Sequence, residues 1–158
     1  MDYLQNEFME RAVSLSKSRM ESNEGGPFGA VVVRDGKIIG EGWNMVTSAN
    51  DPTAHAEVTA IRRSCAAIGN FSLAGCEIYT SCEPCPMCLA AIYWARLDKI
   101  YYGNTRQQAA EIGFDDNFLY EEIPKPLEQR DIPMVRLLPE KAMEVFKLWM
   151  MKPDKKPY

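Results

Sequence analysis

The chain has 158 residues, of which 46% are apolar, 25% charged and 10% aromatic, the make-up of one ordinary globular domain that buries about 70% of its unfolded surface. Its 18 basic residues stand against 22 acidic ones, a formal charge of −4, which is the wrong sign for gaining affinity by neutralising phosphates, so no nucleic-acid partner is expected. The longest uncharged stretches, Ser64–Cys76 and Pro84–Ala95, are too short to cross about 30 Å of bilayer, so no membrane partner is expected either. Met1–Glu7 lacks the basic and apolar runs of a secretory leader, and a cytoplasmic address is the expectation.

Leu4, Phe8, Met9, Ala12, Val13, Leu15 and Met20 mostly recur at three- and four-residue steps and predict an amphipathic helix over 4–20. Gly25-Gly26-Pro27 ends it, and Phe28–Val33 reads as a buried strand that turns at Asp35-Gly36 into a return strand, Lys37–Trp43. Asn50-Asp51-Pro52-Thr53 offers cap and first-turn chemistry for a helix from about Pro52 to Ile68, stopped by Gly69-Asn70. Cys76–Thr80 is a third strand, Pro86–Ala95 a helix with proline at its start, and Lys99–Gly103 a fourth strand. Met134–Leu138 reads as a fifth strand before a last helix, Glu140–Met151. This order predicts a single three-layer α/β/α domain, a mixed five-stranded sheet with crossover helices on both faces, ending in a distinct C-terminal extension.

The five cysteines are Cys65, Cys76, Cys82, Cys85 and Cys88, an odd number in a chain without a leader, which points to metal or catalytic use and away from disulfides. The sole histidine lies in His55-Ala56-Glu57, and after 26 intervening residues comes Pro84-Cys85-Pro86-Met87-Cys88. One imidazole and two thiolates make three protein ligands for Zn²⁺ and leave a fourth tetrahedral position for water, the arrangement of a catalytic site. His55 falls in the first turn of one predicted helix and Cys85 and Cys88 at the start of another, so two helix N-termini aim unpaired amides and partial positive charge at one spot, favouring thiolates. Glu57, two residues past His55, flanks the site as a proton carrier without being a ligand. The Cys82-x-x-Cys85-x-x-Cys88 run also resembles three of four iron–sulfur ligands, or a redox pair. That reading leaves Pro84 and His55-Ala56-Glu57 unexplained. Cys65 and Cys76 read as core thiols, and Cys82 as a wall beside the site.

These residues resemble the signature of zinc-dependent nucleobase deaminases. The resemblance runs along nearly the whole chain and points to bacterial guanine deaminases of the cytidine-deaminase fold. It rests on Gly25-Gly26-Pro27-Phe28-Gly29-Ala30, on Asn50–Glu57, on Thr80–Cys88, on Ile112-Gly113-Phe114-Asp115-Asp116 and on the terminal Lys156-Pro157-Tyr158. The metal motifs are common to the superfamily, whereas the Gly-Phe-Asp-Asp segment and the final tyrosine indicate the guanine branch.

The resemblance implies hydrolysis of guanine to xanthine and ammonia. Hydroxide held on zinc attacks C2, while Glu57 takes the water proton and returns protons to a ring nitrogen and the departing ammonia. It further implies that Asn44 hydrogen-bonds the purine, that the Ala56 amide meets its carbonyl, that Phe28 stacks on the ring and that Asp116 accepts from, or shuttles protons to, the guanine face. Tyr158 would close the pocket from the neighbouring subunit of a homodimer, because the C-terminal part, about 100–158, is exchanged between protomers in this group. Without the resemblance, Phe28 reads as core, Asn44 as a turn residue, and Asp116 and Tyr158 as solvated. Rival readings are a guanosine or other purine or pyrimidine deaminase, a tRNA adenosine deaminase sharing the metal motifs, and a zinc-stabilised binding protein, which would have no use for Glu57.

Overall fold

A computed structural model describes residues 3–158; Met1 and Asp2, part of the stretch read above for targeting, lie outside the described residues. The chain divides into two compact units, the first ending at Asn117 and the second running Phe118–Tyr158. In the first unit α1 (Tyr3–Glu21) precedes a hairpin of β1 (Gly29–Arg34) and β2 (Lys37–Trp43). Asp35 and Gly36 sit at φ 50° and 71°, as a tight hairpin turn requires. A short α2 (Val46–Ala49) leads to α3 (Ala56–Ile68), β3 (Cys76–Cys82), α4 (Pro86–Trp94), β4 (Lys99–Asn104) and α5 (Arg106–Glu111).

The strands lie in the order β2-β1-β3-β4, with β1 antiparallel to β2 and β3, and β3 parallel to β4. Consequently β2, β3 and β4 run the same way, and the elements that follow them start at one end of the sheet. That end is where open α/β sheets form their binding crevice.

Side chains alternate across the sheet as the two-residue period demands. Ala30, Val32 and Ile78 form one core cluster with Ala56 and Ala60 of α3 and Ile92 of α4. Val31, Val33 and Tyr79 form another with Leu15 of α1, backed by Phe8 and Met9. Both crossover helices therefore share one face, and α1 packs on the other. The expectation of crossovers on both faces fails because β2→β3 and β3→β4 step across the sheet in the same direction, and right-handed connections then fall on the same side. Two glycines of β2 let α3 come close. A Cβ on Gly42 would lie 2.1 Å from the Ala56 carbonyl oxygen, and one on Gly40 2.1 Å from Ser64 Oγ.

The sheet has four strands, not five. Met134–Leu138 is irregular: prolines flank it at 133 and 139, no strand among the described residues pairs with it, and Val135 and Leu137 are 76% and 78% exposed. Apolar composition alone does not make a strand without a ladder partner. The predicted helix from Pro52 begins only at Ala56, because the Asp51 carboxylate accepts from Thr53 N and Oγ1 (2.8 and 2.7 Å) and holds that segment as a turn. The second unit holds most of α6 (Asn117–Glu122), a 3₁₀ turn and α7 (Pro139–Met151). Among the described residues no helix is long and apolar enough to cross a membrane.

Candidate metal centre and active site

His55 is the N-cap residue of α3 and Cys85 that of α4, both extended at ψ 159° and 167°. Neither side chain caps its own helix; both turn to a common point. Pro86 at N1 starts α4 with its φ already helical and no N–H to leave unpaired. That helix carries Cys88 at N3, on the same end as its cap. Among the described residues His55, Cys85 and Cys88 form the cluster suited to a metal ion, with ligand atoms all within 4.8 Å of one another. His55 Nδ1 is 3.6 Å from Cys85 Sγ and 3.5 Å from Cys88 Sγ. Tetrahedral bonds of zinc to sulfur and nitrogen separate those two atom types by about 3.6 Å, so the donor set fits zinc without rearrangement. Three donors leave the fourth position open.

The neighbouring Cys88 thiol, with help from His55, holds Cys85 well below the usual thiol range. The Cys85 sulfur and burial push Cys88 far up in return. His55 is raised chiefly by its bond to Cys85.

Glu57, at N2 of α3, is almost wholly buried, 6% exposed. Its Oε2 lies 3.4 Å from Cys88 Sγ and its Oε1 3.4 Å from Thr80 Oγ1. Burial lifts its carboxyl above the ordinary range, the direction needed in a group that both takes and gives a proton near neutrality. The site can therefore hold a Lewis-acidic ion beside a buried acid–base group.

The family profile described as "Cytidine and deoxycytidylate deaminase zinc-binding region" matches residues 3–104. The chain belongs to this zinc-dependent deaminase family. It is 52% identical to the guanine deaminase of Bacillus subtilis (strain 168) over 96% of this chain and 97% of that one. The X-ray structure of guanine deaminase from Bacillus subtilis superposes with a TM-score of 0.95 at 51% identity, covering 100% of this chain and 99% of the other. A tRNA-specific adenosine deaminase from Agrobacterium fabrum is 46% identical, but over only 61% of this chain and 62% of its own.

The deaminase places its other expected site residues as follows. Asn44 is buried, and its Oδ1 accepts from Gly26 N and Val46 N, both at 3.2 Å, which commits the oxygen and leaves the amide N–H groups as donors. A Cβ on Gly25 would lie 2.6 Å from that same oxygen, so only glycine passes there. Asn44 N bonds the Phe28 carbonyl (3.0 Å) and Met45 N the Ala54 carbonyl (2.9 Å), tying this segment to the residue before His55. Phe28 is half-buried and meets Phe114 edge to face, ring centroids 4.9 Å apart. Ala56 is the first residue of α3, where amides lack partners within the helix. Asp116 is half-buried, its carboxyl raised first by burial and then by the charge at Cys85. Tyr158 belongs to the second unit and is 74% exposed. Cys82 stays outside the ligand cluster: its thiol is buried, faces the Thr105 carbonyl at 3.7 Å and is pushed up to about 11. Sequence reasoning missed Thr80 as the neighbour of Glu57 and Phe114 as the ring against Phe28. Two adjacent hydroxyl residues, Thr80 and Ser81, at the end of a predicted strand were the only signal for the first.

Proposed function

We infer that this chain hydrolyses guanine to xanthine and ammonia, using one zinc ion held by His55, Cys85 and Cys88. The observation that carries the substrate is the extent of the guanine deaminase match, which takes in 96% of this chain and 97% of that enzyme, against 61% of this chain for the tRNA-specific relative. Zinc supplies the acidity that lets a water ionise near neutral pH. Glu57 removes the proton from the attacking water and delivers it to the ring nitrogen beside C2. It then passes the second proton to the amine, so that a C2–O bond replaces the C2–N bond and ammonia leaves. Guanine and water thus balance xanthine and ammonia. Asn44 donates to the purine, the Ala56 amide meets its carbonyl, Phe28 lies on the ring, and Asp116 serves as a second carboxyl on the guanine face.

The enzyme works in the cytoplasm as a homodimer that exchanges its C-terminal part, with Tyr158 closing the partner's pocket. Exposed Phe146, Leu148 and Met150 on α7 support an assembly that covers them. Ammonia release from guanine, guanosine, adenine and cytosine, run in parallel on zinc-replete protein, tests the substrate. Guanine is expected to exceed the others by at least about a hundredfold, the discrimination of a pocket whose polar groups go unpaired with the wrong ring. Preference for guanosine or adenine would overturn the assignment.

A further inference from the structure

β3 is buried and carries two adjacent hydroxyls, Thr80 and Ser81. Ser81 Oγ accepts from Gly29 N at 3.0 Å and so ties β3 to β1. Thr80, 1% exposed, does something different: its Oγ1 lies 3.0 Å from the Cys82 carbonyl oxygen and 3.4 Å from Glu57 Oε1. A carboxylate and a carbonyl are both acceptors, and a threonine hydroxyl has one proton to offer. The hydroxyl serves one of the two acceptors at a time, and rotation about the Cβ–Oγ1 bond turns its proton from the Cys82 carbonyl to Glu57 Oε1.

Burial alone does not orient Glu57. The last torsion of a glutamate is broad, so its carboxyl plane can turn unless something grips one oxygen. Its two oxygens have distinct neighbours here: Oε1 faces Thr80, and Oε2 faces Cys88 of the metal cluster. We propose that Thr80 is a positioning residue, its hydroxyl holding Oε1 so that Oε2 is the oxygen presented to the metal cluster for proton transfer. The inference rests on the reading of Glu57 as proton carrier in guanine hydrolysis. It adds a residue outside the His55–Cys85–Cys88 cluster.

The test compares wild type, Thr80→Val, Thr80→Ser and Thr80→Ala for xanthine formation and zinc content. Valine keeps the shape and the β-branch that suits a strand and deletes the hydroxyl. Thr80→Val is expected to lower kcat for guanine by about 10- to 100-fold, the scale of a misaimed reacting group, with KM within about twofold and one zinc retained per chain. Thr80→Ser is expected to restore kcat to within about threefold of wild type. Should Thr80→Val not fold, the Thr80→Ser and Thr80→Ala pair decides, because these two differ only by the hydroxyl; the serine variant is expected to be at least about tenfold faster. Equal rates in that pair, undiminished kcat in Thr80→Val, or a loss that tracks zinc or KM would overturn the positioning role. An inactive wild type would instead sink the guanine reading.

Discussion

Replacing Glu57 by glutamine removes the proton carrier and almost nothing else. The side chain is buried and of equal size, and a glutamine amide can keep its oxygen toward Thr80 while its NH₂ faces the Cys88 sulfur, the two neighbours seen at 3.4 Å. Neither contact is a metal bond, so zinc content is expected to stay at one per chain. A positioned acid or base contributes about 10²- to 10⁴-fold, and in the proposed mechanism Glu57 serves both the inward and the outward transfer. We therefore expect kcat to fall by about 10³- to 10⁴-fold, about 4–5.5 kcal/mol of transition-state stabilisation. Stability moves the other way. Glu57 is raised by burial, so the folded state binds its proton more tightly than the unfolded chain, and the charged form opposes folding. That opposition is absent below the ordinary carboxyl range and grows as pH rises through the raised value. In zinc-free protein the melting temperature of Glu57→Gln is therefore expected to match wild type in acid and to exceed it increasingly toward neutral pH. Xanthine formation, elemental zinc analysis and thermal unfolding check the three statements. A zinc-loaded variant with kcat within about tenfold of wild type would refute the reasoning.

Metal loading is expected to release protons. Cys88 is held up by the Cys85 sulfur and His55 is raised by the same neighbour, so Zn²⁺ displaces protons on binding, and affinity falls as pH falls; calorimetry in buffers of different ionisation enthalpy measures this, and zero release would contradict it. Gly42→Ala drives a Cβ into the Ala56 carbonyl and the Ala60 amide of α3. We expect a loss of about 3 kcal/mol, about 6–12 °C in melting temperature, together with reduced kcat, because that helix carries His55 and Glu57; an unchanged melting curve would refute the close approach. Removing Tyr158, an exposed terminal residue, is expected to move stability by less than about 0.5 kcal/mol while lowering kcat/KM about tenfold through a less protected pocket, and unchanged kinetics would make it an ordinary chain end.

Much of the metal centre was legible because each ligand type carries its own local signature. Pro86 announces the start of α4, and the two-residue gap between Cys85 and Cys88 puts both sulfurs on that helix end. His55 was harder to place, since Pro52 offered a competing start; only the carboxylate of Asp51, folded back onto Thr53, moves the helix to Ala56. The failed fifth strand has a different origin. Met134–Leu138 has the composition of a strand, but a strand is defined by its neighbour, and pairing is not written in a single segment. Thr80 was illegible for the same kind of reason. Its partner, Glu57, lies 23 positions away, and no periodicity links a strand residue to the N2 position of a helix packed across it.

The division of roles between α3 and α4 follows from helix geometry. An N-cap side chain and the N3 side chain of one helix reach toward each other, as a capping box does, so α4 supplies two ligands from Cys85 and Cys88. On α3 the chemistry shifts by one residue: the cap is His55, but the second functional group stands at N2, rotated about 100° from N3. Glu57 therefore lands beside the cluster and not within it, its Oε2 3.4 Å from the Cys88 sulfur. On the proposed reading that one-residue offset would give a bound ion three protein ligands, where a fourth would close the site. The parallel run of β2 and β3 brings the two helix starts to the same end of the sheet, which makes the offset count. A zinc centre built for structure would use N-cap and N3 on both helices; here three candidate ligands gather with a buried carboxyl next to them.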